Sequence, residues 1–115
     1  MAEHTLHLDA TPFMLISEGH KTIESRLYDA KRQMISLGDN LKFENRESGA
    51  QLTAEVISLH RYQSFEKLFN ALDPSLFGNE SRDLLLENIR TLYSLEDEAK
   101  YGVIGLEFSL LIPKI

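Results

Sequence analysis

The chain has 115 residues, of which 43% are hydrophobic and 26% charged. This balance excludes disorder, collagen and low-complexity sequence, and fits a single domain over residues 1–115 with a core of its own. It has no cysteine, which removes a disulfide framework, a thiolate zinc site and a cysteine nucleophile, and its net charge of −6 argues against binding to a DNA duplex, which a basic face would drive.

Taken in chain order, His4 to Leu8 alternate in polarity and read as a short strand. Thr11-Pro12 reads as a helix start, with Thr11 as N-cap and Pro12 at the first helical position, and the helix stops at Gly19. Residues 22–28 form the next strand, with Ile23, Ser25 and Leu27 on one face and Thr22, Glu24, Arg26 and Tyr28 on the other. Turns at Gly38-Asp39 and Glu47-Ser48-Gly49 bracket a strand over 40–46, whose Leu41 and Phe43 face the core. A longer strand over 51–61 changes its apolar phase between Val56 and Ile57, as a β-bulge would require. Ser64, Ser81 and Ser94 each open a helix, the first two over 64–72 and 81–93, the third ending at Gly102. Residues 103–112 are the most apolar strand and are expected at the centre of the sheet. This order is not a regular βαβ repeat. It predicts an α+β fold, a curled, mainly antiparallel, barrel-like sheet with flanking helices.

No apolar run is long enough to span a membrane. Met1-Ala2-Glu3-His4 lacks the basic and apolar regions of a signal peptide, so the expectation is a cytoplasmic chain without a membrane partner. There is no Walker loop and no G-x-G-x-x-G. His4 and His7 face opposite sides of one strand and His20 and His60 stand apart, so no metal and no cofactor is expected.

Positive charge is nevertheless concentrated. Lys21, Arg26, Lys31, Arg32, Lys42 and Arg46 fall in one window against Glu24, Asp29, Asp39 and Glu44. The informative part is Gly19-His20-Lys21-Thr22-Ile23-Glu24-Ser25-Arg26. A helix ends, a strand begins, Lys21 sits at the strand mouth, and Glu24 and Arg26 share a strand face. Spacing alone allows two readings: a solvated ion-pair ladder worth ~0–1 kcal/mol, or a polar site.

The same octapeptide resembles the G-x-K-x-x-E-x-R signature of the ASCH domain family, in the PUA-like superfamily of β-barrel folds. Leu37-Gly38-Asp39-Asn40-Leu41-Lys42-Phe43 is similar to that family's G-D-x-[hydrophobic]-x-F strand. Tyr62-Gln63-Ser64-Phe65 resembles its Y-x-S-F segment, and Tyr101-Gly102-Val103-Ile104 the start of its last strand. The resemblance implies a cleft between helices and barrel that holds Lys21, Glu24 and Arg26. It also implies an RNA-binding module, or in some relatives a hydrolase that removes the acetyl group from acetylcytidine. Those deacetylating relatives carry a Thr three residues after the Lys, where this chain carries Glu24.

Two functions follow as expectations. In the first, the cleft takes a nucleotide, a nucleoside or a short single-stranded RNA. Lys21 and Arg26 meet phosphate or a base acceptor, Glu24 accepts from an amine or a ribose hydroxyl, and Tyr28 or Tyr62 offers a stacking face. In the second, the chain is an amidohydrolase acting on a modified nucleoside, with Lys21 and Glu24 as its catalytic residues.

Overall fold

The computed structural model describes residues 1–78 and 81–111. Alternating segments pair into a five-stranded sheet curled into a half-barrel. Its strands are β1 (Glu3–Leu8), β2 (Ile23–Leu27), β3 (Asn40–Asn45), β4 (Gln51–Tyr62) and β5 (Val103–Leu110). Four helices are described: α1 (Ala10–Ser17), α2 (Phe65–Ala71), α3 (Arg82–Arg90) and α4 (Leu95–Tyr101). The strand order is β1-β3-β4-β5-β2. The β3/β4, β4/β5 and β2/β5 pairs are antiparallel, and β1/β3 is parallel. The α+β fold with a mainly antiparallel curled sheet is therefore as the sequence predicts. β5 is paired on both sides, but β4 holds the middle of the order. Ile112, the expected end of the last strand, lies outside the described residues.

The half-barrel buries two cores, one on each side of its wall. Inside the curl, Leu6, Leu8, Leu41, Phe43, Val56, Ile104, Leu106 and Phe108 pack together, with Ile16 of α1 added to them. Outside it, Ile23, Leu27 and Val103 meet Phe65, Leu68 and Phe69 of α2 and Leu85 and Ile89 of α3. A period of two sends neighbouring residues such as Val103 and Ile104 to opposite cores, so a strand covered on both sides reads as continuously apolar. Gly105 brings α2 close to β5: a Cβ there would lie 3.2 Å from Leu68 Cδ1 and 3.1 Å from Ile23 Cγ2. The register shift between Val56 and Ser58 is the bulge expected from the apolar phase change.

Ser64, Ser81 and Ser94 cap α2, α3 and α4, each hydroxyl accepting from the amide three residues on. The first helix differs from expectation. Its N-cap is Asp9 rather than Thr11, and Pro12 is its third residue. Pro12 is tolerated there because the first-turn amides have no intrahelical acceptor. α2 stops at Ala71, before Asp73-Pro74, and α3 ends at Arg90, so Tyr93 lies in the turn that follows.

Phe108 is 4% exposed and its ring centroid lies 4.8 Å from that of Phe43 across the inner core. Phe108→Ala should lower the free energy of unfolding by about 3–5 kcal/mol. Urea denaturation measures this, and a loss under about 1 kcal/mol would show that the inner core closes without that ring.

Candidate functional site

β1 and β2 are the two edges of the curled sheet. Where they approach, α1 and α3 help to enclose a cleft of about 540 Å³, within the range of small-molecule sites. The chain end of α1 sets its first cation. Gly19 takes φ +79°, and the amides of His20 and Lys21 both donate to the Leu15 carbonyl, at 2.9 and 3.2 Å. Only glycine enters that left-handed region without cost, so the chain turns sharply into β2. Lys21 then forms a bridge with Phe77, and the Thr22 amide donates to the Leu76 carbonyl at 2.9 Å.

Glu24 and Arg26 leave β2 on the same side as their partners Leu106 and Ile104, toward the inner core. Glu24 Oε1 is 2.9 Å from Lys21 Nζ, and Glu24 Oε2 accepts from Arg26 Nε at 2.8 Å. Arg26 Nη2 donates to the His7 carbonyl of β1 at 3.0 Å, crossing the seam between the sheet edges. The side chains of Lys21, Glu24 and Arg26 are 13%, 7% and 10% exposed. A solvated ladder is excluded by this burial: the three charges form one enclosed network.

Burial by itself pushes the Glu24 carboxyl up. The charges of Lys21 and Arg26, with their hydrogen bonds, outweigh it and hold the group at about 2 instead of the ordinary 4.5. Burial likewise opposes the Arg26 charge, and Glu24 beside it more than restores it, so the guanidinium holds its proton more tightly than usual. Glu24 is thus an ionised acceptor at neutral pH. Lys21 has three donors and Arg26 five, and among the described residues one and two of them respectively are spent on the contacts above.

The structure brings Lys21, Glu24 and Arg26 into one cleft and leaves Tyr28 and Tyr62 out of it. Those two tyrosines line a separate groove at the other end of β2. Sequence reasoning missed several cleft residues: Pro12, Arg46, Thr91 and Tyr93, and the carbonyl of His7. Arg46 pairs with Asp9 at 3.3 Å, and Tyr93 stacks on Phe65 with centroids 5.5 Å apart. The basic window around Lys21 already contained Arg46, whereas a backbone acceptor such as His7 carries no sequence signal. Among the described residues no group of three or more His, Asp or Glu is placed to hold a metal.

The network predicts acid lability with a definite sign. The Glu24 carboxyl binds its proton more weakly in the folded chain, at about 2, than at its ordinary 4.5. Its contribution is therefore complete above 4.5 and is lost as pH falls toward 2. The shift corresponds to on the order of 3 kcal/mol. Urea denaturation of the wild type and of Glu24→Gln should show a stability gap that is wide at neutral pH and shrinks by about that amount on acidification. A gap of constant size would contradict the ionised network.

With this geometry in place, comparison with known proteins gives a consistent result. The chain superposes on the crystal structure of the hypothetical protein PH0355 with a TM-score of 0.84 and 32% identity, covering 96% of this chain and 100% of that one. It is similar to protein PF0455 from Pyrococcus furiosus, with a TM-score of 0.75 and 31% identity, covering 95% and 97% of the two chains. It shares its fold with an ASCH domain from Lactobacillus crispatus, with a TM-score of 0.63 and 15% identity over 95% of this chain and 79% of the other. No curated protein matches it. The model of the ASCH domain matches residues 6–112, a span that contains the whole cleft and every strand but for the first residues of β1, and the chain belongs to the ASCH domain family.

Proposed function

We propose that the cleft binds a nucleotide, either free or as one unit of a single-stranded RNA. The family is linked in general to nucleic acid binding and to hydrolase-like function, and this chain's cleft chemistry favours the first. The observation that carries the reading is the enclosed Lys21–Glu24–Arg26 network. Its two cations keep donors for a phosphate or a base carbonyl, and its carboxylate is an acceptor for an exocyclic amine or a ribose hydroxyl. Arg26 offers a planar fork, which suits phosphate better than a point charge does.

Charge sets the scale of the ligand. Lys21, Arg26 and Arg46 line the cleft with Asp9 and Glu24, leaving a surplus of one positive charge in a chain of net charge −6. Such a site holds one anionic group and does not attract a long polyanion. The cleft volume of about 540 Å³ suits a ligand of nucleotide size.

The hydrolase reading is weaker on physical grounds. A general base works best with a pKa near the working pH, and Glu24 is held at about 2. It is a poor proton acceptor, and a carboxylate in that position supplies no hydroxyl nucleophile. Lys21 is engaged by the same carboxylate at 2.9 Å. The proposed role of the three residues is recognition.

A thermal-shift titration with AMP, CMP, GMP and UMP tests the reading, since a ligand specific to the folded state raises the melting temperature. At least one of them should stabilise the wild type, and Arg26→Lys, which keeps the charge but loses the fork, should weaken that ligand about tenfold. No shift with any of the four, or an equal shift in the variant, would contradict it. In the same series, acetylcytidine should not be turned over. Rapid release of cytidine that disappears in both Lys21→Ala and Glu24→Ala would establish the hydrolase instead.

A further inference from the structure

The two tyrosines that the cleft leaves out belong to a second polar groove. It has a volume of about 760 Å³ and lies between the end of β2, the end of β4 and α4. Tyr28, Tyr62 and Tyr101 line it, together with Arg61 and Lys100. The guanidinium carbon of Arg61 is 4.0 Å from the centroid of the Tyr28 ring, and Lys100 Nζ is 5.1 Å from that of Tyr101. Both are within cation–π distance.

The fold builds this groove deliberately at Gly102. That residue has φ +71° and ψ −172°, a backbone region essentially reserved for glycine, and a Cβ there would lie 3.2 Å from the Tyr62 carbonyl. Its carbonyl accepts from the Tyr28 amide at 3.0 Å. One glycine therefore joins the end of α4 to the ends of β2 and β4, and brings the aromatic residues of three elements to one place.

The charge of the groove is locally unbalanced. Most cations described here answer a carboxylate: Lys21, Arg26, Arg32, Lys42, Arg46 and Arg90 all do. Arg61 and Lys100 are exposed, and among the described residues neither has a carboxylate partner. Among the described residues no Asp or Glu lines the groove. Two uncompensated cations beside three aromatic rings, in a chain of net charge −6, form a local positive and aromatic surface. That combination fits single-stranded nucleic acid, whose phosphates need cations and whose unstacked bases need flat rings. An acidic peptide would use the cations alone and leave the rings without a partner.

We propose that this groove is a binding site in its own right, for consecutive nucleotides of a single-stranded RNA. Two phosphates meet Arg61 and Lys100, and a base stacks on Tyr101 or Tyr62. Tyr28 follows Arg26 by two residues, one past the end of β2, and packs against the same inner core, a rise of about 7 Å, so cleft and groove are neighbours along the chain. The groove goes beyond the cleft reading and does not depend on it, because it shares no lining residue with the cleft.

Fluorescence anisotropy with a labelled short oligouridine RNA tests the groove, and a UMP titration reads the cleft separately. For single strands the logarithm of the binding constant falls with the logarithm of salt by ~0.7 per phosphate contact. Arg61→Ala/Lys100→Ala should bind the oligouridine at least about tenfold more weakly, with a salt slope shallower by about 1.4, and bind UMP as the wild type does. Tyr101→Ala should lose about tenfold in oligouridine affinity, and Tyr101→Phe, which keeps the stacking face, should restore it. All three side chains are exposed, so the variants should fold, and circular dichroism checks that they do. Oligouridine binding without UMP binding, sensitive to Arg61 and Lys100, upholds the groove while overturning the cleft reading. The groove proposal is overturned by oligouridine binding of unchanged affinity and slope in the double variant, by absence of oligouridine binding in the wild type, or by joint loss of UMP and oligouridine in the double variant.

Discussion

The Glu24 carboxylate, bonded at once to Lys21 and Arg26, is the interaction on which the open seam of the half-barrel depends. A curled sheet has two edges, and exposed edges with unpaired amides and carbonyls are a hazard for any sheet protein. Closing β1 onto β2 with a full ladder would remove both edges and fill the space between them. Here a hydrogen bond from Arg26 to the His7 carbonyl spans the gap, and the cleft is what remains open. Arg26 can make that bond from a buried position because Glu24 balances its charge, and Glu24 tolerates burial because Lys21 and Arg26 flank it. Removing Glu24 leaves two enclosed cations without their partner, a loss of about 3–5 kcal/mol in comparable cases. The network thus serves the fold and the site with the same three residues.

Much of this was legible in the sequence, for reasons that can be traced residue by residue. The phase change after Val56 announced the bulge, and Ser64, Ser81 and Ser94 announced three helix starts, because caps and period-two facing are local properties. The shared face of Glu24 and Arg26 followed from the same period. The depth of the network did not follow, because spacing along one strand fixes the direction of a side chain and says nothing of what covers it. The cover comes from α1, α3 and the facing edge of β1, all remote in sequence. The His7 carbonyl is a backbone atom and leaves no trace in residue type. Tyr28 was read as the last residue of that strand, but it lies one residue past the end of β2 and lines a different groove. Asp9 rather than Thr11 stands at the N-cap position of α1 because Pro12 is tolerated throughout the first helical turn, and the Asp9 side chain makes no cap bond there but pairs with Arg46.

The electrostatic layout gives the two grooves different characters. The cleft holds its cations against a carboxylate and is nearly balanced, so it discriminates by hydrogen-bond geometry within an enclosed volume. The groove at Gly102 holds its cations against aromatic rings and is unbalanced, so on the proposed reading a short single strand would be drawn by charge and held by stacking. On the proposed reading, an acidic chain with a local positive and aromatic surface is limited to short, single-stranded contacts. The net charge of −6 sets that limit, while the placement of Lys21, Arg26, Arg61 and Lys100 sets where contact occurs.

The most direct test of the account is the NMR titration of the Glu24 side-chain carboxyl carbon in the folded chain. An enclosed carboxylate held by two cations should stay ionised through the ordinary carboxylate range and titrate only at about 2. A midpoint at the ordinary 4.5 would show that Lys21 and Arg26 do not outweigh burial, and would contradict both the clasped seam and the site built on it.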